Sequence, residues 1–147
     1  MILGSFDADG TPYVEGNLVI ASLGIDEEIS FLVDTGSDST CLMPTDGTRL
    51  GIDYNTLTGP QANTYGSGGN SKPHKYRSLI SFTEENKRQR TYSIDLFIYP
   101  QDPDLDILDS LLGRDVLNRW RMRYQLNNGR LEFTVVSADF TRRIRRD

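Results

Sequence analysis

The feature that most constrains this chain is an apolar run that stops at a carboxylate: Ile29-Ser30-Phe31-Leu32-Val33 is followed at once by Asp34. A near-continuous apolar run of this length reads as a strand buried on both faces. A charge at its end is partly desolvated, which costs free energy unless the carboxylate is hydrogen-bonded or serves some chemistry. Ahead of the run, Val14, Leu18 and Ile20 recur at even spacing before Leu23-Gly24-Ile25-Asp26, which predicts a hairpin leading into the buried strand.

Further on, residues 76–83 and 91–99 read as two strands joined by the charged turn Glu84 to Arg90, an ordinary exposed hairpin. A last hairpin is predicted over 122–126 and 130–136, turning at Asn127-Asn128-Gly129. Helical spacing is confined to Gly113 through Trp120, where Val116, Leu117 and Trp120 oppose polar Arg114, Asp115, Asn118 and Arg119. Residues 44–73 are rich in Pro, Thr, Gly, Asn and Ser and read as loops or a mobile hairpin. No internal repeat is present. The pattern is all-β with one short helix near the C-terminal end.

A chain of 147 residues fits one domain, and 37% hydrophobic with 25% charged residues is globular rather than disordered composition. The single Cys41 excludes an intrachain disulfide, and with the single His74 it excludes a zinc site of Cys and His ligands within one chain. The net charge is −5, but residues 142–147 carry four Arg and one Asp, +3, which leaves −8 on residues 1–141. The expected layout is therefore one domain over 1–141 followed by a basic, disordered tail over 142–147. The acidic body argues against nucleic-acid binding. No apolar run approaches a membrane span, and the first residues lack the basic and apolar regions of a signal peptide, so a cytoplasmic protein without a transmembrane segment is expected.

Taken alone, Asp34-Thr35-Gly36-Ser37 could be a strand-end turn, since all four are turn residues. Two further segments alter its weight. Phe31-Leu32-Val33-Asp34-Thr35-Gly36-Ser37 resembles the active-site turn of aspartic proteases, and Leu111-Leu112-Gly113-Arg114-Asp115 resembles the apolar-apolar-Gly-Arg-Asn/Asp element of retroviral proteases. Between them, Thr64-Tyr65-Gly66-Ser67-Gly68-Gly69 is similar to the flap, in its pepsin-like Tyr-Gly form. The order of the three segments is that of a retropepsin-like aspartic protease, with pepsin-like features in the turn and the flap.

That resemblance implies a half-barrel fold and an endopeptidase acting on extended polypeptides with no cofactor. Peptide hydrolysis by carboxylates needs one group ionised to take a proton from water and one protonated to polarise the carbonyl, and two carboxyls about 3 Å apart achieve this by sharing a proton. The chain has no second apolar-Asp-Thr/Ser-Gly turn: Asp109-Ser110 is followed by Leu111, and Asp46-Gly47 lacks the hydroxyl residue. The second Asp34 is therefore expected from a second copy, in a twofold homodimer active on the acidic side of neutrality.

The resemblance further implies that Thr35 links the two active-site loops across the dimer and that Gly36 allows close approach of water and substrate. Ser37 is expected to donate to the Asp34 carboxylate and move the optimum to lower pH. Arg114 is expected to brace Asp38 with its guanidinium fork. Tyr65 is expected to pack near the substrate, with Gly66, Ser67, Gly68 and Gly69 closing over it. A noncatalytic module using this fold for dimerisation or peptide binding is the alternative, and a monomer with an incomplete site is a third reading. The alternating Asp102, Asp104 and Asp106, with Asp109, read as a solvated acidic loop because the Gly and Glu of a calcium loop are absent. Cys41 and His74 have nothing in the sequence to bring them together as nucleophile and base.

Overall fold

In the computed structural model, which describes residues 1–62 and 72–144, alternation of apolar residues sets most of the strands. Two short strands, β1 (Ile2–Leu3) and β2 (Ser5–Phe6), lead into β3 (Pro12–Ile20), which buries Val14, Leu18 and Ile20. A 3-10 turn at Ala21–Leu23 returns the chain as β4 (Ile25–Val33), which buries Ile25, Ile29, Phe31 and Val33. There follow β5 (Cys41–Leu42), α1 (Pro44–Arg49), β6 (His74–Thr83), β7 (Arg88–Ile98), β8 (Leu111–Leu112), α2 (Arg114–Leu117), β9 (Trp120–Gln125), β10 (Arg130–Val135) and β11 (Phe140–Arg143).

Strand pairing closes on itself. β3 pairs with β4 along one edge and, at Asn17 to Val19, with β6 along the other, and β6 pairs with β7. β7 continues in parallel to β5, β5 meets β8 antiparallel, and β8 returns in parallel to β4. The circuit β3-β4-β8-β5-β7-β6 is thus a barrel, extended at its margins by β2 on β3 and β11 on β7. A separate sheet, β1-β10-β9, is held by pairs such as Ile2 with Phe133 and Phe133 with Met122. Among the described residues no helix is long and apolar enough to cross a membrane.

Trp120 joins the two sheets. Its ring packs edge-on against Phe82 at 4.8 Å and against Tyr92 at 5.9 Å, and lies tilted on Phe133 at 4.9 Å. Aromatic pairs of this kind contribute roughly 0.5–1.5 kcal/mol each beyond the area they bury. The indole N–H donates to Tyr92 Oη at 2.6 Å, and that hydroxyl donates to the Ser137 carbonyl at 2.8 Å, so the polar atoms buried with the rings are satisfied.

Several expectations are corrected. The β6-β7 hairpin is not exposed: Tyr76, Ile80, Phe82, Tyr92, Ile94, Leu96 and Ile98 are all core residues, because the barrel wraps one face of the hairpin inward. The loop-rich stretch 44–73 contains α1 and a 3-10 turn at Tyr54–Thr56, so the helix near the C-terminal end has company. That helix is shorter than its apolar spacing predicts, since Trp120 already belongs to β9. Arg142 and Arg143, expected in the basic tail, are strand residues paired with Gln89 and Arg88. Within the charged turn, Glu84 is buried and is held by Arg90 Nε.

Burial works against the Glu84 carboxylate, but Arg90 and the terminal ammonium outweigh it and hold the group below its ordinary value of 4.5. A depressed carboxyl stabilises the fold above that value and loses the contribution as the pH falls below it. Replacing Arg90 leaves a buried charge without its main partner. Arg90→Met is expected to cost roughly 3 kcal/mol near pH 7 by urea unfolding, and less near pH 4, where the stranded Glu84 takes up a proton.

Candidate active site

The strand that the sequence marks as buried ends where β8 is inserted. Leu32 and Val33 pair in parallel with Leu111 and Leu112. Leu32 N donates to the Ser110 carbonyl at 2.9 Å, and Asp34 N donates to the Leu112 carbonyl at 3.1 Å. β8 also pairs with β5 at Cys41, so β4 and β5 are neighbours in sequence but not in the sheet. The chain from 34 to 40 must loop around the end of β8 to pass between them, and the Asp-Thr-Gly-Ser turn is that loop.

Its shape is fixed from both sides. Ser37 N donates to the Asp34 carbonyl at 3.2 Å, and Gly36 N donates to Asp34 Oδ1 at 2.9 Å, which orients the carboxylate. A Cβ on Gly36 would stand 3.2 Å from that same oxygen. On the other side, Arg114 N donates to the Ser37 carbonyl at 2.8 Å and Gly113 presses against the loop. A Cβ on Gly113 would meet the Ser39 carbonyl at 2.5 Å, so only glycine fits there. The result is a half-buried Asp34 beside exposed Thr35, Gly36 and Asp38.

Arg114 and Asp38 are brought together as an ion pair, and the same guanidinium donates to the Thr35 carbonyl at 2.7 Å. Asp38 is 87% exposed, so the pair adds little by Coulomb attraction and the bond to the Thr35 backbone is the more effective brace. The Ser37 hydroxyl does not reach Asp34. It donates its one proton to the Ser39 carbonyl at 2.7 Å, and the expectation that it bonds the carboxylate is corrected. Tyr65, Gly66, Ser67, Gly68 and Gly69 lie outside the described residues. The residues flanking that segment pair in antiparallel fashion, with Ala62 N on the Pro73 carbonyl at 3.0 Å and a bridge between Gln61 and His74.

The residues that hold the turn most firmly were not singled out in the sequence. Thr40 is fully buried: its amide and hydroxyl donate to the two oxygens of Asp115 at 2.9 and 2.8 Å, and its hydroxyl accepts from Gly113 N at 3.2 Å. Burial holds the Asp115 carboxyl above its ordinary value of 3.8, although the Thr40 donors and the Val116 amide oppose the shift. Ser110, also buried, donates to Asp46 Oδ2 at 2.5 Å and accepts from Met43 N at 3.0 Å. The signal for Asp115 is its place in the Gly113-Arg114-Asp115 motif, and nothing local marks Thr40 as its partner or Ser110 as that of Asp46.

Other candidates separate. Cys41 Sγ lies 3.4 Å from the Ser39 carbonyl, while His74 Nδ1 lies 2.6 Å from the Gly59 carbonyl. Burial above all pushes the Cys41 thiol up to about 12, which removes it as a thiolate nucleophile. Among the described residues no group of three or more His, Cys, Asp or Glu side chains is placed to hold a metal ion.

Thr40→Val keeps the shape of the side chain but strips Asp115 of a donor and Gly113 of an acceptor. The expected loss is roughly 2 kcal/mol by chemical denaturation. It grows as the pH rises above 3.8, because the lost donor favoured the charged form of Asp115.

No curated protein matches the sequence. Among solved structures, a retropepsin-like aspartic protease from Rickettsia conorii superposes with a TM-score of 0.54 at 22% identity, covering 90% of this chain and 88% of that one. The EIAV protease complexed with the inhibitor HBY-793 gives a TM-score of 0.42 at 18% identity, covering 78% of this chain and 91% of that one. On the first of these matches the fold is retropepsin-like. A family model described as aspartyl protease matches residues 19–116, from the end of β3 through the turn and β8 into α2, and on that match the chain belongs to the aspartyl protease family.

Proposed function

We propose that the protein is an aspartic endopeptidase that hydrolyses peptide bonds in extended polypeptides, with one active site built from the Asp34 residues of two copies. The observation that carries this reading is the placement of Asp34. A half-buried carboxylate, oriented by the Gly36 amide at 2.9 Å, stands at the end of a barrel strand beside an exposed turn. One such turn per chain supplies half of a two-carboxyl mechanism, and the exposure of Thr35 and Gly36 leaves the turn open to a symmetry-related copy.

In the reaction, an ionised Asp34 takes a proton from water while the protonated Asp34 of the second copy polarises the substrate carbonyl. Water attacks the carbonyl carbon, and the tetrahedral intermediate collapses as a proton passes to the leaving nitrogen. One proton is shared by the pair throughout, so activity belongs on the acidic side of neutrality. Thr35 would join the two turns across the dimer, the backbone amides of Gly66, Gly68 and Gly69 would hold an extended peptide and exclude water, and Tyr65 would pack near the substrate. No group beyond the two carboxyls and water is needed.

A mixed peptide library incubated between about pH 3 and 7, the range in which carboxyl pairs titrate, tests the reaction. Asp34→Asn is expected to lower kcat by roughly 10²- to 10⁴-fold, the contribution of a general acid or base. Adding excess Asp34→Asn chain to the wild type is expected to inhibit it, because mixed dimers carry one carboxyl fewer. Cleavage that survives Asp34→Asn would overturn the reading, and absence of cleavage with the dimer retained would favour a noncatalytic module. Ser37→Ala is expected to leave the pH profile in place while lowering stability by about 1 kcal/mol, since its hydroxyl bonds a backbone carbonyl.

A further inference from the structure

The barrel carries an apolar row on its outer surface that is covered at one end and open at the other. Register places Tyr13 opposite Leu32, Leu32 beside Leu111, Leu111 opposite Cys41 and Cys41 beside Phe97. The side chains next along these strands, Val14, Phe31, Val33, Leu112 and Leu42, point into the core, so the row faces away from it. Over Cys41 and Phe97 the row is roofed by Tyr99, Leu105 and Leu108. Leu111 packs against the margin of that roof, while Tyr13 and Leu32 belong to neither apolar cluster, and all three are half-buried. Asp34 lies two residues beyond Leu32 and so shares this outer side, which makes the open stretch the floor on which a peptide approaching Asp34 would rest.

One polar contact crosses that floor. Tyr13 Oη donates to Asp109 Oδ2 at 2.7 Å, linking β3 to the segment just before β8. This bond, chiefly, pushes the Tyr13 phenol up to about 12, with Asp7 and Asp9 adding negative charge from the β2-β3 turn. Tyr13 therefore remains a neutral donor to Asp109. A carboxylate has about four acceptor positions, and the tyrosine occupies one of them. Asp109 itself is exposed at the rim.

Resting on the endopeptidase reading above, we infer that Tyr13 and Asp109 form the wall of a substrate subsite that selects a lysine or arginine side chain within a few residues of the scissile bond. Leu32 and Leu111 take the apolar stem of that side chain, and the Asp109 carboxylate, held in one orientation by Tyr13, meets its charged end. The bond that constrains Asp109 spares the entropy of fixing it when the substrate arrives.

A positional scan tests this at about pH 6, where carboxylates are ionised. Matched peptides carry Lys, norleucine or Glu at each of the positions flanking the bond that is cut. At one or more positions the wild type is expected to favour Lys over Glu by at least about fivefold in kcat/KM, the effect of one partly exposed ion pair. Asp109→Asn is expected to collapse the Lys-to-norleucine ratio, and Asp109→Lys to invert the Lys-to-Glu preference, an outcome that a merely structural Asp109 would not produce. If peptides are cut and the ratios are the same in wild type and both Asp109 variants, the subsite is refuted while the endopeptidase reading stands. If no peptide is cut at any pH, the endopeptidase reading fails and the subsite with it.

Discussion

The two-residue strand β8 is the constraint on which the rest of the molecule depends. By entering between β4 and β5 it completes the barrel, supplies carbonyl partners to the end of β4, and forces residues 34–40 to pass around it. Asp34 is displayed because the chain has no shorter route from one strand to the other. The insertion needs a close approach at both ends. Gly113 provides it on one side, where any Cβ would strike Ser39, and Gly36 accommodates the carboxylate on the other.

What secures this arrangement is mostly backbone and buried polar pairing rather than surface charge. The two oxygens of Asp115 accept from both donors of Thr40, and Ser110 serves Met43 and Asp46 together. In a low-dielectric setting such bonds are strong when complete and expensive when broken. The Arg114–Asp38 pair is the conspicuous feature in sequence, yet its carboxylate stands in solvent. Its guanidinium matters more for the carbonyl of Thr35, which it pins to the start of α2.

How much was legible follows from the range of each interaction. Even spacing of Val14, Leu18 and Ile20 exposed β3, the Asn127-Asn128-Gly129 turn exposed β9 and β10, and the apolar run up to Val33 exposed β4 with the position of Asp34, because these depend on residues near one another in the chain. The interior role of the β6-β7 hairpin was not legible, since a charged turn resembles an exposed one until Arg90 is seen to neutralise Glu84. α1 was hidden by turn-forming residues; Gly47, which lowers helix propensity, is present because Tyr54 Oη occupies the place of its Cβ. Thr40, Asp115 and the Tyr13–Asp109 bond were hidden for a different reason, as their partners are 75 and 96 residues apart.

That separation also orders events in time. The turn at 34–37 is synthesised before every group that shapes it from the far side, since Asp115 follows Thr40 by 75 residues. Loop closure over such a distance is among the slow steps of folding. In a nascent chain the turn therefore has only its own local bonds, and it lacks the contacts of β8 and α2 until those segments have been made.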